Sequence, residues 1–509
     1  MSSPRSPWAG MVALCLPMLI VSMDVSVLFF AAPYIADDLH ATAEQQLWIF
    51  DVYGFVLAGL LLTMGSVADR IGHRRLLMIG AVAFSVASVA AALAVSPAML
   101  IGARALLAVG GATLMPSTLA LVRHLFDDPA QRAKAVATWS AVFTGGVAVG
   151  PIISGILLEH FWWGSVFLIN VPVMVALLVV APILLPADTG EPTRRVDVVS
   201  AVLALGAILP LIEGIKKLGA EGWSFTWLLL ILVGVAVGGL FVWRQRSLAQ
   251  PLVDLTMFAD RRFSVSIWIN VIGAFAILGN AIMMTQYLQS VLGYSPLSAA
   301  LWSVLPSVFI AAAAPAAAAG SVRFGRPPVV ITGLLVAAAG FAVIAALTTT
   351  HSLAVVLVGA TLLASGAVAV SAVIADYIVG VAPADRAGAT SSLLETSGEF
   401  GGALGIAVLG SVLNAVYRLS FDDADFAGTA AGRSLAGALA TAHDVVGERG
   451  HQLVAQARTA FVDGLTTAAW VGTGVLVATA LVAAWALRGE AKPGEADRSR
   501  EDLSSSSRA

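Results

Sequence analysis

The sequence predicts an all-α polytopic membrane protein with fourteen transmembrane helices, and three observations lead there. Of 509 residues 59% are hydrophobic and only 12% charged, with a mean hydropathy of +0.90, whereas a soluble globule carries about 25% charged residues. Apolar runs of about 20 residues, long enough to cross a hydrocarbon core at the rise of an α-helix, recur along the chain. Lysine and arginine gather in alternate connections between those runs.

The runs fall at 11–33, 47–67, 76–95, 98–121, 134–157, 164–185, 198–217, 225–244, 263–288, 296–319, 328–348, 353–375, 388–415 and 464–487. An even number puts both termini on one side. With the termini cytoplasmic, 21 Lys and Arg lie inside and 6 outside, among them Lys216 and Lys217, which is the orientation that the positive-inside bias selects. Residues 1–10 form a short cytoplasmic N-terminus without a cleavage signature, so the first run reads as an uncleaved anchor. The polar tail 488–509 is expected to be disordered. Residues 416–463 are the one long outside connection, Ala/Gly-rich and weakly amphipathic; surface helices or a hairpin are expected there, with a cap over the outer mouth as the alternative.

Several functions are excluded early. A net charge of −3 and a pI near 6.2, without a basic aromatic stripe, give nucleic acid nothing to bind. The single Cys15 permits no intramolecular disulfide or cysteine-rich metal site. The seven histidines lie in connections or at run edges without metal spacing. No phosphate-binding loop of the Walker type is present, so coupling to ATP within this chain is not expected. No cofactor or metal is called for, and the protein is not expected to be an enzyme.

A degenerate repeat divides the chain. GSVADRIGHRR (65–75) follows the second run and GSVRFGRPP (320–328) the tenth, each after the second helix of a six-helix unit. The division is an N-terminal six-helix bundle over 11–185, two inserted helices over 198–244, and a C-terminal six-helix bundle over 263–487.

Residues 65–75 are the most specific signal. Gly65 is expected to end a helix, Asp69 and Arg70 place opposite charges at the turn, Gly72 permits a tight bend, and Arg74 and Arg75 sit at the inner face. A positive-inside loop accounts for the arginines but not for Asp69. In the fifth run, GGVAVGPIISG (145–155) sets small residues at Gly146, Gly150 and Gly155, where another helix can approach closely, and Pro151 removes a backbone hydrogen bond. In the fourth run Arg104 lies within an apolar helix; a guanidinium there cannot shed its proton and must face the interior with a partner.

Together these features resemble the major facilitator superfamily, and among its branches the fourteen-helix drug:proton antiporters of the QacA type. The likeness extends over about residues 10–488, including LWIFDVYGFVLAGLLLTMGSVADR (47–70) and TSSLLETSGEFGGALGIAVLGS (390–411). It implies the major facilitator fold, a latching role for Asp69 in the inward-closed state, and Arg104 near the proton pathway. Residues 145–155 are similar to the family's antiporter motif, with Ser154 where the first glycine of a terminal pair is usual.

Five carboxylates lie within the runs: Asp24, Asp51, Glu213, Glu395 and Glu399. An ionised carboxylate at mid-membrane costs roughly 2.5–3.5 kcal/mol on insertion scales, so each needs a reason. Glu395 and Glu399 share one helix face. Two carboxylates at that spacing repel when both ionise, so the pair can load and release a proton near physiological pH. Asp51, between Trp48 and Phe55 on one helix face, suits a lipophilic cation, either lining the mouth or in the core. Glu213 with Lys216 and Lys217 reads as an interfacial charge cluster. Asp24 either pairs with Arg104, stays ionised and acts as a switch element, or stands apart and carries the proton or meets the cation itself; the resemblance favours the second. By the same resemblance the functional acids are Asp24, Asp51, Glu395 and Glu399. The tenth run, LWSVLPSVFIAAAAPAAAAG, lacks the acid that some relatives carry there, which favours monovalent over divalent cations. Trp139, Phe143, Tyr287 and Trp302 are further substrate-contact candidates.

The expected function is therefore proton-coupled antiport: export of lipophilic cationic drugs, dyes and antiseptics by alternating access, driven by the proton gradient, from a monomer in the cell membrane of a bacterium. The rivals are an exporter of an endogenous antibiotic, lipid or peptide, an importer, and a non-transporting receptor or scaffold.

Overall fold

The structure, a computed structural model, describes residues 7–487 except 127, 188–189, 191–196, 249–250, 254, 382–386, 422–428 and 446–447. The expectation for the 488–509 tail lies outside the described residues. Fourteen long helices run through the described chain: α1 (Pro7–Asp38), α2 (Ala43–Ile71), α3 (His73–Ala92), α4 (Pro97–Leu125), α5 (Pro129–His160), α6 (Asn170–Leu184), α7 (Val198–Glu221), α8 (Phe225–Ser247), α9 (Arg261–Gln286), α10 (Pro296–Phe324), α11 (Arg326–Leu347), α12 (Leu353–Val381), α13 (Ala387–Ser420) and α14 (Glu448–Ala486). Twelve spans among the described residues are long and apolar enough to cross a membrane. A thirteenth is added if Glu44–Leu61 and Thr63–Ile71 of α2, bent by 54°, count as one. In α5, Gly145–His160 is an apolar stretch of membrane-helix composition among the described residues, and the first turns of the helix carry Gln131, Arg132 and Lys134.

Helix starts follow local chemistry. Thr42 and Gln45 form a reciprocal capping box at α2, and Ser96, Asp128 and Ser295 accept from backbone N–H groups at α4, α5 and α10, each followed by a proline in the first turn. Side chains that satisfy orphan N–H groups, and prolines that have none to lose, fix these boundaries.

Three boundaries differ from expectation. Gly65 does not end α2, which continues to Ile71; the break falls at Gly72, whose φ of 95° closes one helix and opens the next. A φ in that range favours glycine because a Cβ would crowd the backbone. The last helix begins at Glu448, well before the apolar run, so HQLVAQARTAFVDGL extends a membrane helix. Lys216, expected in an outside connection, is buried inside α7.

In packing, α1 contacts α4, α5 and α6, α2 contacts α4, and α3 contacts α4 and α6; α9 packs on α12 and α13, and α11 on α12 and α14. Helices α7 and α8 form a hairpin. The first and last groups meet along α2 with α13 and along α5 with α10, and α7 inserts beside the former seam, touching both α2 and α13. Trp8 of α1 packs edge-on against Phe126 after α4, and Arg261 of α9 lies over the Trp485 ring of α14. Up-and-down alternation brings these ends to one face, the terminal face.

Contacts between the two groups gather at the opposite, far face. A methyl built on Gly155 would stand 2.7 Å from Cα of Leu297, and Ser295 donates to Glu159 at 2.9 Å. A cavity of about 40 Å³ remains there, lined by Pro33, Gln46, Met283, Asn414 and Ser434. It holds a water or two, not a drug. The connection 416–463 contributes two short helices, Ala430–Arg433 and Leu435–Asp444, and residues 434–436 wall this cavity.

Candidate functional site

Five helices meet around the buried pair of Asp24 and Arg104. Nη1 of Arg104 pairs with Oδ2 of Asp24, Nε donates to the Ile49 carbonyl at 3.1 Å, and the guanidinium lies 4.6 Å from the centre of the Tyr53 ring. Asn170 of α6 reaches Asp24 Oδ1 at 3.5 Å while donating to Ser88 Oγ at 3.1 Å. Both charged side chains are 2% exposed. The fixed fork of the guanidinium is thus met by a carboxylate, a carbonyl and a ring face, as a permanent buried cation requires. Of the two forms open to Asp24, the structure takes the one the resemblance disfavoured: a sealed ion pair.

Asp51 is also paired. Lys216 Nζ of α7 lies 2.8 Å from Asp51 Oδ2, with both side chains fully buried, and the same ammonium sits 3.9 Å above the Trp48 ring. The Trp48 indole N–H donates to Glu213 at 2.7 Å, and Lys217 pairs with Glu44 at 2.8 Å. Of the two placements open to Asp51, the structure puts it in the core rather than at a mouth, with a counter-ion supplied by an inserted helix. The expected cluster of Glu213, Lys216 and Lys217 exists, but Lys216 is buried rather than interfacial. Below it, Phe55, Ile212, Ala403 and Ala407 form a separate apolar cluster that closes the α2–α7–α13 seam.

Glu395 and Glu399 stand on α13, both half-buried. The helix is held to α9 by Asn270, which donates to the Leu394 carbonyl at 3.0 Å and to Ser397 Oγ at 2.8 Å. A methyl on Gly54 would lie 3.0 Å from Cβ of Ala403 and 3.7 Å from the Glu399 carbonyl. Tyr53 and Gly54 of α2 therefore separate the Asp24–Arg104 pair from the turn bearing Glu399.

The conformational motifs serve as joints. Asp69 pairs with His73 at 3.4 Å, Arg74 donates to the Leu185 carbonyl at 3.0 Å, and Arg70 is exposed. On α5, Gly146 and Gly150 face Ser22 and Ser26 of α1, and Gly155 faces α10. Ser154 donates to the Val27 carbonyl at 2.9 Å, replacing a close approach by a hydrogen bond one turn from Pro151. Among the substrate-contact candidates, Trp139 stacks with Phe143 and donates to Thr118 at 3.2 Å inside the first group. The Tyr287 hydroxyl joins the Thr349 carbonyl at 2.5 Å and the Ser352 N–H at 2.8 Å, which fixes the α11–α12 connection. Trp302 is exposed on α10.

Sequence reasoning missed Tyr53, Asn170 and the inward turn of Lys216. Tyr53 and Asn170 carry no charge to mark them. Lys216 stands three residues after Glu213, one turn away, a spacing that places Glu213 and the ammonium on the same face.

Residues 14–406 match the family model described as Major Facilitator Superfamily. The chain is 39% identical over 491 residues to the multidrug efflux pump LfrA of Mycolicibacterium smegmatis, covering 96% of this chain and 97% of that one. It is 34% identical over 417 residues to the methyl viologen resistance protein SmvA of Salmonella typhimurium, covering 81% and 84%. In fold it is similar to a bacterial homologue of the human lysosomal transporter Spinster in an inward-facing, unoccupied conformation, with a TM-score of 0.66, 18% identity, and coverage of 96% and 98%.

Proposed function

This chain belongs to the major facilitator superfamily and is a transporter rather than an enzyme; on that premise we propose that it is a proton-coupled antiporter that exports lipophilic cationic drugs, dyes and antiseptics by alternating access. The names of its relatives, an efflux pump and a resistance protein, support drug export. The observation that carries the coupling is the difference between its acids. Asp24 and Asp51 are sealed against their own cations, while Glu395 and Glu399 are part-buried carboxylates one turn apart on α13. Asp24 and Asp51 each already face a basic side chain, whereas two neighbouring carboxylates can share and exchange a proton.

In this reading all fourteen long helices cross the cell membrane of a bacterium, as two six-helix bundles over 11–185 and 263–487 with α7 and α8 inserted, and the terminal face is cytoplasmic. The Lys and Arg distribution supports that orientation, more strongly once Lys216 moves from a connection into a helix. With the far face closed at Gly155–Leu297, the protein takes up cation from the cytoplasmic side. Opening the far face exposes Glu395 and Glu399 to protons that displace it, and the loaded protons return inward. Each charge moved is worth about 2.3 kcal/mol per 100 mV, so no cofactor is required. The protein works as a monomer.

Ethidium efflux from energised cells tests this. Efflux should collapse with a protonophore and fall at least about tenfold in Glu395→Gln or Glu399→Gln. Protonophore-insensitive efflux, with both variants at wild-type rate, would sink the reading.

A further inference from the structure

The Lys216 ammonium rests on the face of the Trp48 ring at 3.9 Å and against Asp51 at 2.8 Å, in a fully buried setting. A ring face backed by a carboxylate is the recognition chemistry of an organic cation. Here the cation is part of the chain. The site is built rather than accidental: the Trp48 ring is oriented by its N–H bond to Glu213, and Asp51 Oδ1 has no hydrogen-bond partner among the described residues. Lysine holds its ammonium on a flexible stem and fills a point-charge site without the fork that would lock an arginine.

We infer that Lys216 determines substrate valency, acting as a tethered cation that occupies a second cation site formed by Trp48 and Asp51. The charges around it are Asp51, Glu213 and Glu44, against Lys216 and Lys217. Lys217 is taken up by Glu44, so Lys216 is what cancels Asp51. The site lies close to the acids of α13. Gly54 and Ala403 meet at one level, Asp51 is three residues to one side of it on α2, and Glu399 is four residues to the other side on α13. At 1.5 Å per residue the carboxylates are separated by about 10 Å of rise. A substrate with two cationic groups can address both ends of that seam, but with Lys216 in place only the Glu399 end is left to it, and one charge is accepted. Loss of the ammonium frees Asp51 for the second charge.

This rests on the cation-export reading above, and the experiment separates the two. Efflux of ethidium, with one positive charge, and of methyl viologen, with two, is measured from the same cells for wild type, Lys216→Met, Lys216→Gln, Lys216→Arg and the double variant Asp51→Asn/Lys216→Met, with membrane abundance determined for each. The expected result is a methyl viologen to ethidium ratio at least about fivefold higher in Lys216→Met and Lys216→Gln, unchanged in Lys216→Arg, and back at the wild-type value in the double variant, which has no carboxylate to offer. An unchanged ratio in both neutral variants overturns the inference, as does a raised ratio that persists in the double variant. If neither neutral single variant accumulates while the double variant does, the pair is structural only and the inference also fails. Absence of ethidium efflux in wild type would instead refute cation export itself.

Discussion

The Trp48 indole N–H donates to the Glu213 carboxylate at 2.7 Å, joining a helix of the first group to an inserted helix 165 residues away. With the Asp51–Lys216 and Glu44–Lys217 pairs it makes α7 an integral wall of the transporter. Trp48→Phe keeps the ring but removes the donor. It should lower the melting temperature in detergent by an amount matching about 1.5–3 kcal/mol, the range for a hydrogen bond to a charged group, while Asp51 and Lys216 remain paired. An unchanged melting temperature would show that the bond adds nothing to docking.

Breaking the Asp24–Arg104 pair should cost far more than replacing it. Arg104→Gln leaves Asp24 buried opposite no cation, and removal of one partner of a buried pair costs about 3–5 kcal/mol. Asp24→Asn/Arg104→Gln together should recover most of that loss in denaturation, yet not export, if the pair changes partners during transport. A double variant that exports at wild-type rate would make the pair a scaffold alone.

Gly155→Val places a branched side chain where even a methyl would be 2.7 Å from Cα of Leu297. Neither backbone can retreat within a packed helix pair, so the far face should fail to close. The expected result is normal insertion, efflux reduced at least about tenfold, and faster labelling of a cysteine introduced at Leu435. Wild-type efflux would mean that closure does not pass through this contact.

Outside the membrane-spanning segments, Asp197 caps α7 and binds Arg244 at 2.8 Å. Partial burial pushes its carboxyl up, but hydrogen bonds from Arg244 and Ser200 outweigh that and hold it below the usual carboxylate range. A depressed value stabilises the folded state above the unfolded pKa, near 3.9, and that contribution is lost as pH falls through the lower folded value. Asp197→Asn should therefore narrow the stability difference between pH 6 and pH 3. The change is about 1 kcal/mol or less, since Arg244 is part-exposed. Thermal melts at the two pH values check it.

Tyr287→Phe removes the clamp on Thr349 and Ser352. It should destabilise by about 1 kcal/mol, because a part-buried N–H loses its acceptor, and leave the ranking of exported cations unchanged. A shifted ranking would restore Tyr287 as a substrate contact.

Much of this architecture is legible in the chain. The helix runs, the turn at Gly72 and the small-residue face of α5 all follow from local chemistry, and an intramembrane arginine must find an acid, so Arg104 announces a partner. What is not legible is which acid is taken. Asp24 and Asp51 look alike as isolated carboxylates in apolar helices, and both prove to be neutralised by lysine or arginine from elsewhere. The partner of Asp51 lies on an inserted helix whose docking onto α2 leaves no periodic trace. Lys216 looks like the end of a span because charge near a helix end ordinarily marks water, but here the helix continues to Glu221 and turns that charge inward.

The glycines of α13 carry a last implication. Methyl groups on Gly401 or Gly405 would collide with the backbones of Val271 and Phe275 on α9, so the two helices touch main chain to main chain along this stretch. At these two turns few side chains intervene, and the interlocked backbones resist sliding. Glu395 and Glu399 therefore ride on a stiff two-helix beam; if they are the proton site of the proposed antiport, a proton there acts through what that beam rests against on α2 rather than by sliding the helix.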